Sequence, residues 1–202
     1  MNRNLIAILR GLRPEEAIAI GGALIDAGIT KIEVPLNSPN PLKSIELLVK
    51  EFSNVAEFGA GTVLSAQQVK QVSETGATLI VSPNCDPDVI DATKALGMKS
   101  YPGVLTPSEC FAALKYKADG LKVFPAFKMG IDGLKAIRAV LPSETQLFMV
   151  GGVGPENFSV WLDAGANGFG LGSSLYKPGR TAVEISRIAR DTVAAYDRVT
   201  LR

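Results

Sequence analysis

The sequence predicts an α/β protein, a closed (β/α)8 TIM barrel forming one domain over residues 1–202, and three observations carry that expectation. Apolar runs of strand length alternate with segments of helical period from residue 4 onward, the pattern of repeated βα units and a parallel sheet. Eight such units can be counted, with no linker, low-complexity tract or charge block between them. The chemically unusual residues also fall at or just after predicted strand ends: Arg10, Glu33, the Gly59–Thr62 turn, Pro83, Lys122, Gly151–Gly152 and Gly172–Ser173. A barrel brings eight strand ends to one mouth, whereas a doubly wound open sheet, the alternative, does not.

The expected strands are Leu5–Leu9, Lys31–Pro35, Ala56–Gly59, Thr78–Ser82, Met98–Tyr101, Gly120–Phe124, Gln146–Val150 and Gly168–Leu171. A helix is expected after each. Pro14-Glu15-Glu16, Pro107-Ser108-Glu109 and Pro155-Glu156 supply the proline and acidic residues suited to a first helical turn and its dipole. Helix ends are marked by Gly28, Gly76, Gly97 and Gly165, where a glycine just past the helix suits a left-handed C-cap. Trp161 has helical spacing toward the core and receives no catalytic role.

Composition narrows the function classes. The chain is 47% hydrophobic and 20% charged, and its 21 basic and 20 acidic residues are spread along the whole length. No basic block follows a phosphodiester backbone, so nucleic acid is not an expected partner. Leu5–Leu9 is short for a secretory segment and runs into Arg10, and no apolar run approaches the roughly 20 residues a spanning helix needs, so no membrane partner and a cytoplasmic location are expected. Cys85 and Cys110 lie in different βα units without metal or redox spacing, so free thiols are expected. Histidine is absent, which removes Ser-His and Cys-His pairs and His-ligated metal sites. Proton transfer falls to Glu, Asp, Lys, Tyr or water, and neither a metal nor a cofactor is expected.

Lys122 stands in the apolar stretch Gly120-Leu-Lys-Val-Phe-Pro-Ala126. Burial favours a neutral amine, which is a nucleophile; the competing reading is a lysine that snorkels to solvent. Glu33 lies between Ile32 and Val34, where desolvation raises a carboxyl pKa and a nearby cation lowers it, so the sign of the shift stays open. Arg10 at the end of the first strand suits a substrate carboxylate or an ion pair with Glu33. Thr62 suits the same carboxylate or a helix cap. Paired glycines at Gly151-Gly152 and the Gly170–Ser174 turn let backbone N–H groups approach a phosphate, with a helix starting near Pro155 adding its positive end; Ser173 and Ser174 add hydroxyls or cap a helix. Tyr101 and Tyr176 are expected to pack, and Lys128 and Lys177 to be exposed.

Ile8-Leu-Arg-Gly11, Ile32-Glu-Val-Pro-Leu-Asn-Ser-Pro39, Gly59-Ala-Gly-Thr-Val63, Ser82-Pro-Asn84, Tyr101-Pro-Gly-Val-Leu-Thr-Pro107 and Leu121-Lys-Val-Phe-Pro-Ala126 together resemble the class I aldolases that cleave 2-keto-3-deoxy-6-phospho sugar acids. The resemblance covers nearly the whole chain. Met149-Val-Gly-Gly152 and Gly170-Leu-Gly-Ser-Ser-Leu-Tyr176 resemble the phosphogalactonate branch more than the phosphogluconate branch. It implies a homotrimeric barrel that yields pyruvate and glyceraldehyde 3-phosphate from a phosphorylated keto acid. By position, it implies Lys122 as Schiff-base lysine, Glu33 as proton shuttle, Arg10 and Thr62 at the pyruvate carboxylate, Gly151, Gly152, Gly172, Ser173 and Ser174 at the phosphate, and Pro83 and Phe124 as pocket walls. Cleavage of the gluconate epimer or of 4-hydroxy-2-oxoglutarate, and a non-aldolase phosphate-binding barrel, whether an isomerase, a decarboxylase or a protein that only binds a phosphorylated metabolite, are the alternatives.

Overall fold

Each predicted βα unit appears in the computed structural model, which describes residues 3–200. The elements run β1 (Leu5–Ile8), α1 (Pro14–Asp26), β2 (Lys31–Pro35), α2 (Pro41–Phe52), β3 (Glu57–Gly61), α3 (Ala66–Ser73), β4 (Leu79–Val81), α4 (Pro87–Ala95), β5 (Lys99–Tyr101), β6 (Gly103–Val104), α5 (Pro107–Lys115), β7 (Leu121–Val123), α6 (Ala126–Arg138), β8 (Leu147–Val150), α7 (Phe158–Asp163), β9 (Gly168–Leu171) and α8 (Ala182–Thr200). Every strand pairing is parallel, in the order β5-β4-β3-β2-β1-β9-β8-β7-β6.

The two ends of that order are one barrel stave broken at Pro102. Proline has no N–H to give a ladder, so β5 stops at Tyr101 and pairs with β4, while β6 resumes at Gly103 and pairs with β7. The Pro102 carbonyl still accepts from the Lys122 N–H at 2.9 Å, which closes the ring. The fifth strand expected at Met98–Tyr101 is therefore only half of its stave.

Alternation divides each strand between two cores. Ile6, Leu79, Val81, Tyr101 and Phe148 fill the inside of the barrel, and the Tyr101 and Phe148 rings meet edge to face at 5.4 Å. Outward-facing residues such as Leu5, Ala7, Ile32, Leu121 and Val123 pack under the helices. Four helix-end glycines, at 28, 76, 97 and 165, all have positive φ, as their sequence signal required. Thr106 and Glu109 form a reciprocal capping box at the start of α5.

The last helix is fastened in two ways. Phe158, Phe169 and Tyr196 pack with ring centroids 4.4, 6.0 and 6.3 Å apart, and Arg3 holds Asp197 through two hydrogen bonds of 2.6 and 2.7 Å. Burying each aromatic ring contributes roughly 1.5–3 kcal/mol, against about 1 kcal/mol or less for an ion pair near the surface. Packing is thus the stronger fastening.

One predicted helix start moves. The helix expected from Pro155 begins at Phe158, because Asn157 ties the preceding loop: its Oδ1 accepts from the Gly154 N–H at 3.1 Å and its Nδ2 donates to the Gly152 carbonyl at 3.0 Å. That loop spans the segment a first helical turn would have used.

Candidate active site

Lys122 is the middle residue of β7, and its neighbours Leu121 and Val123 point outward into the main core, so alternation turns the lysine into the barrel. Glu33 reaches the same interior from β2, between outward-facing Ile32 and Val34. Lys122 is 6% exposed and Glu33 1%. They share a void of about 10 Å³ walled by Tyr101, Phe148 and Val150 among others, roughly the room one water needs. The snorkelling alternative for Lys122 is thereby removed.

The electrostatics settle the sign that the sequence left open. Burial pushes the Glu33 carboxyl up to about 7, against the opposing pull of the Lys122 and Arg10 charges. Glu33 Oε2 has no hydrogen-bond partner. Burial also pushes the Lys122 amine below its ordinary value; Glu33 opposes that shift and Arg10 adds to it. The Lys122 ammonium position lies 4.9 Å from the centroid of the Phe124 ring. Among charged residues, each member of the pair is the largest influence on the other.

Above the void opens a cleft of about 520 Å³, walled by the ends of β1, β7, β8 and β9. Ile8, Val150 and Gly170 line both spaces, so the cleft leads down to Lys122 and Glu33. Of the residues expected at the site, Arg10, Phe124, Gly151, Gly152, Gly172, Ser173 and Ser174 wall this cleft. Gly151 and Gly152 have φ of 95° and 71°, a left-handed pair that leaves their backbone bare to the cleft. Ser174 Oγ donates to the Val153 carbonyl at 3.3 Å, tying the β9 turn to the β8 turn.

Thr62 and Pro83 follow β3 and β4 on the opposite side of the mouth and do not wall the cleft. Thr62 is held at φ 56°, a conformation that a β-branched residue rarely adopts. It does not cap α3, since Ser65 does so by accepting from the Gln68 N–H at 3.3 Å. Arg10 makes no ion pair with Glu33; its Nη1 donates to Asn37 Oδ1 at 2.6 Å, and Ser38 Oγ accepts from the Gly11 N–H at 2.9 Å.

Several wall residues were not among the expected site, Tyr176, Lys177, Pro178 and Glu156 among them. Tyr176 is buried as a packing residue, but its hydroxyl is unpartnered, and burial pushes its pKa up to about 12, which keeps the proton on. Lys177 and Pro178 follow it along the same wall. Glu156 was hidden by reading Pro155-Glu156 as a helix start, whereas the loop held by Asn157 brings it into the cleft. Lys128 is exposed and Trp161 is core, both as expected. Among the described residues no three thiol or carboxyl side chains are grouped to hold a metal ion, and no helix is long and apolar enough to cross a membrane.

A barrel with a cleft at its C-terminal mouth is the architecture of barrel enzymes, whose sites lie at that face. The chain belongs to the KDPG and KHG aldolase family, whose model matches residues 1–190, and aldolases are lyases that break carbon–carbon bonds. A probable 2-dehydro-3-deoxy-6-phosphogalactonate aldolase of Rhizobium meliloti (strain 1021) is 51% identical over 199 residues, 98% of this chain and 94% of that protein. Among solved structures, one described as native KDPGal superposes with TM-score 0.98 at 44% identity, covering 100% of this chain and 98% of that one. A KDPG aldolase from Legionella pneumophila, with pyruvate captured at low pH as a covalent carbinolamine, superposes with TM-score 0.85 at 28% identity over 95% and 94% of the two chains.

Proposed function

We propose that this aldolase cleaves 2-dehydro-3-deoxy-6-phosphogalactonate into pyruvate and glyceraldehyde 3-phosphate through an imine on Lys122. The observation that carries the reading is the shared void: a desolvated amine and an unpartnered carboxyl together at the base of a cleft that glycine turns wall. Neutral Lys122 adds to the C2 ketone to give a carbinolamine, and a proton from neutral Glu33 lets its hydroxyl leave as water, giving a protonated imine and ionised Glu33. Ionised Glu33 takes the C4 hydroxyl proton, the C3–C4 electron pair moves toward the imine nitrogen, and the aldehyde departs from an enamine. Glu33 returns a proton to C3, and water releases pyruvate and regenerates the amine.

Its pKa near 7 equips Glu33 both to accept and to return a proton near neutrality. Arg10 and Thr62 face the carboxylate, and Pro83 and Phe124 flank the reacting carbons. Gly151, Gly152, Gly172, Ser173 and Ser174 receive the phosphate on bare backbone and hydroxyls. The covalent carbinolamine in the Legionella relative supports the amine chemistry, and the galactonate names of the two more similar relatives support that epimer. The family description also covers KDPG and KHG cleavage, which keeps the gluconate epimer and 4-hydroxy-2-oxoglutarate as the second reading. A homotrimer in the cytoplasm completes the proposal, and the unpaired Cys85 and Cys110 suit a reducing compartment.

The test is mass mapping after incubation with pyruvate and borohydride, followed by turnover on both C4 epimers. A single reduced adduct on Lys122 and faster cleavage of the galactonate epimer are expected. No adduct in folded protein would sink the mechanism, and faster cleavage of the gluconate epimer would overturn the substrate.

A further inference from the structure

We infer that Gly61 is a positioning residue: the side chain it lacks is the seat in which the Glu33 carboxyl is held for proton transfer. This rests on the aldolase reading above. Gly61 is the last residue of β3, in register with Pro35 of β2, two residues beyond Glu33. A Cβ built there would lie within 2.5 Å of Oε1, Oε2 and Cδ of Glu33, all three of its nearest atoms belonging to that one carboxyl. Real Cβ atoms essentially never come closer than 3.0 Å to a neighbour. The carboxyl therefore occupies the volume that any other residue's Cβ would fill.

No backbone reason explains the glycine. Unlike Gly151 and Gly152, Gly61 does not have a left-handed φ, and glycine in a strand costs stability that a side chain would recover. Gly59, two residues earlier on the same strand, offers the contrast. Its missing Cβ would meet the Leu79 main-chain carbonyl, so its absence serves the packing of β3 on β4. At Gly61 the obstructing group is the end of a flexible side chain, so alanine moves the carboxyl rather than the sheet. Because Glu33 Oε2 has no hydrogen-bond partner, little except the seat and the surrounding apolar walls fixes where it points.

The experiment is Gly61→Ala, alone and combined with changes at Glu33. Gly61→Ala is expected to trap pyruvate on Lys122 with borohydride as wild type does, since the amine is untouched. Exchange of the pyruvate methyl protons with deuterated water, and cleavage of the phosphorylated keto acid, are both expected to fall about tenfold or more. Glu33→Asp withdraws the carboxyl by one methylene. It should slow exchange in wild type yet speed it at least about threefold in the Gly61→Ala background, a reversal of sign that a merely structural role would not produce.

Full exchange in Gly61→Ala, or an equal loss from Glu33→Asp in both backgrounds, would overturn the proposal. Should Gly61→Ala prove too unstable to assay, melting decides: Gly61→Ala/Glu33→Ala is expected to melt with Glu33→Ala, and a double variant as unstable as Gly61→Ala would place the clash elsewhere. A wild type without an adduct on Lys122 would overturn the aldolase reading and this catalytic consequence together. The melting cycle needs no substrate and still tells whether Gly61 seats the carboxyl.

Discussion

Lys31 and Lys122 are each 6% exposed, and burial lowers the pKa of both, the Lys122 amine lying the deeper of the two. Lys31 opens β2 on the same strand face as Glu33, roughly 7 Å nearer the N-terminal floor. There its charged neighbours are Glu57, which favours its charge, and Lys99, which opposes it; Glu57 already accepts a 2.6 Å hydrogen bond from Lys99. Lys122 instead has an unpartnered buried carboxyl beside it and a cleft above it. Low exposure alone therefore does not distinguish the lysine proposed to form the imine from one at the floor of the barrel. What separates them is an unpartnered carboxyl and an open cleft, and the mouth of the barrel supplies both.

The largest expected effect would break this contrast if it failed. Lys122→Met should lose the borohydride adduct and at least about a thousandfold in kcat/KM, while Lys31→Met keeps the adduct and stays within about tenfold of wild type. Equal losses would mean that the two ends of the barrel are not functionally distinct. Next, Glu33→Gln should lower kcat about 10²–10⁴-fold with the Lys122 adduct still trapped by borohydride. Full turnover would remove Glu33 from proton transfer.

The same variant sharpens the electrostatics. Folding raises the Glu33 carboxyl from 4.5 to about 7, so its neutral form suits the folded state, and wild type should lose stability as pH rises from 4.5 through 7. Glutamine stays neutral throughout. Between pH 5 and pH 8, chemical denaturation should show Glu33→Gln gaining on wild type by up to about 3 kcal/mol, and an unchanged difference would contradict the raised pKa.

At the rim, Gly152→Ala must hold φ of 71° and place a Cβ 3.1 Å from the Phe127 Cβ. It should raise KM for the phosphorylated substrate about tenfold while pyruvate trapping is little changed, since only the former needs the phosphate end. The smallest effect belongs to the floor. Glu57→Gln, which breaks the Lys99 pair and leaves Lys31 with less compensation, should cost about 1 kcal/mol in denaturant melts with kcat unchanged. A fall in kcat there would join floor and mouth into one site.

Much of this arrangement was legible in the chain. Apolar runs of strand length and helix-end glycines placed the eight βα units, and a lysine and a glutamate inside apolar strands marked the pair that the fold buries together, because burying a charge is too costly to be casual. Lys31 carried the same signal more faintly. As the first residue of its strand, beside Thr30, it reads as a solvent-facing edge until neighbouring strands cover it. Glu156 and Asn37 gave no signal of these positions, since both arise from the course of loops: Asn37 meets Arg10 from another unit, and the Asn157 turn replaces the helix start expected at Glu156.

Order along the chain, strand faces and the residue types available for chemistry follow from local physics: side-chain alternation, backbone freedom and desolvation act over a few residues. Which strand end meets which does not. The left-handed Thr62, the sign of the Glu33 shift and its seat on Gly61 were decided only when β2, β3 and β7 came together around one interior. Each depends on distances across the barrel, where a few tenths of an ångström separate a packed neighbour from a clash and a partnered charge from an orphaned one.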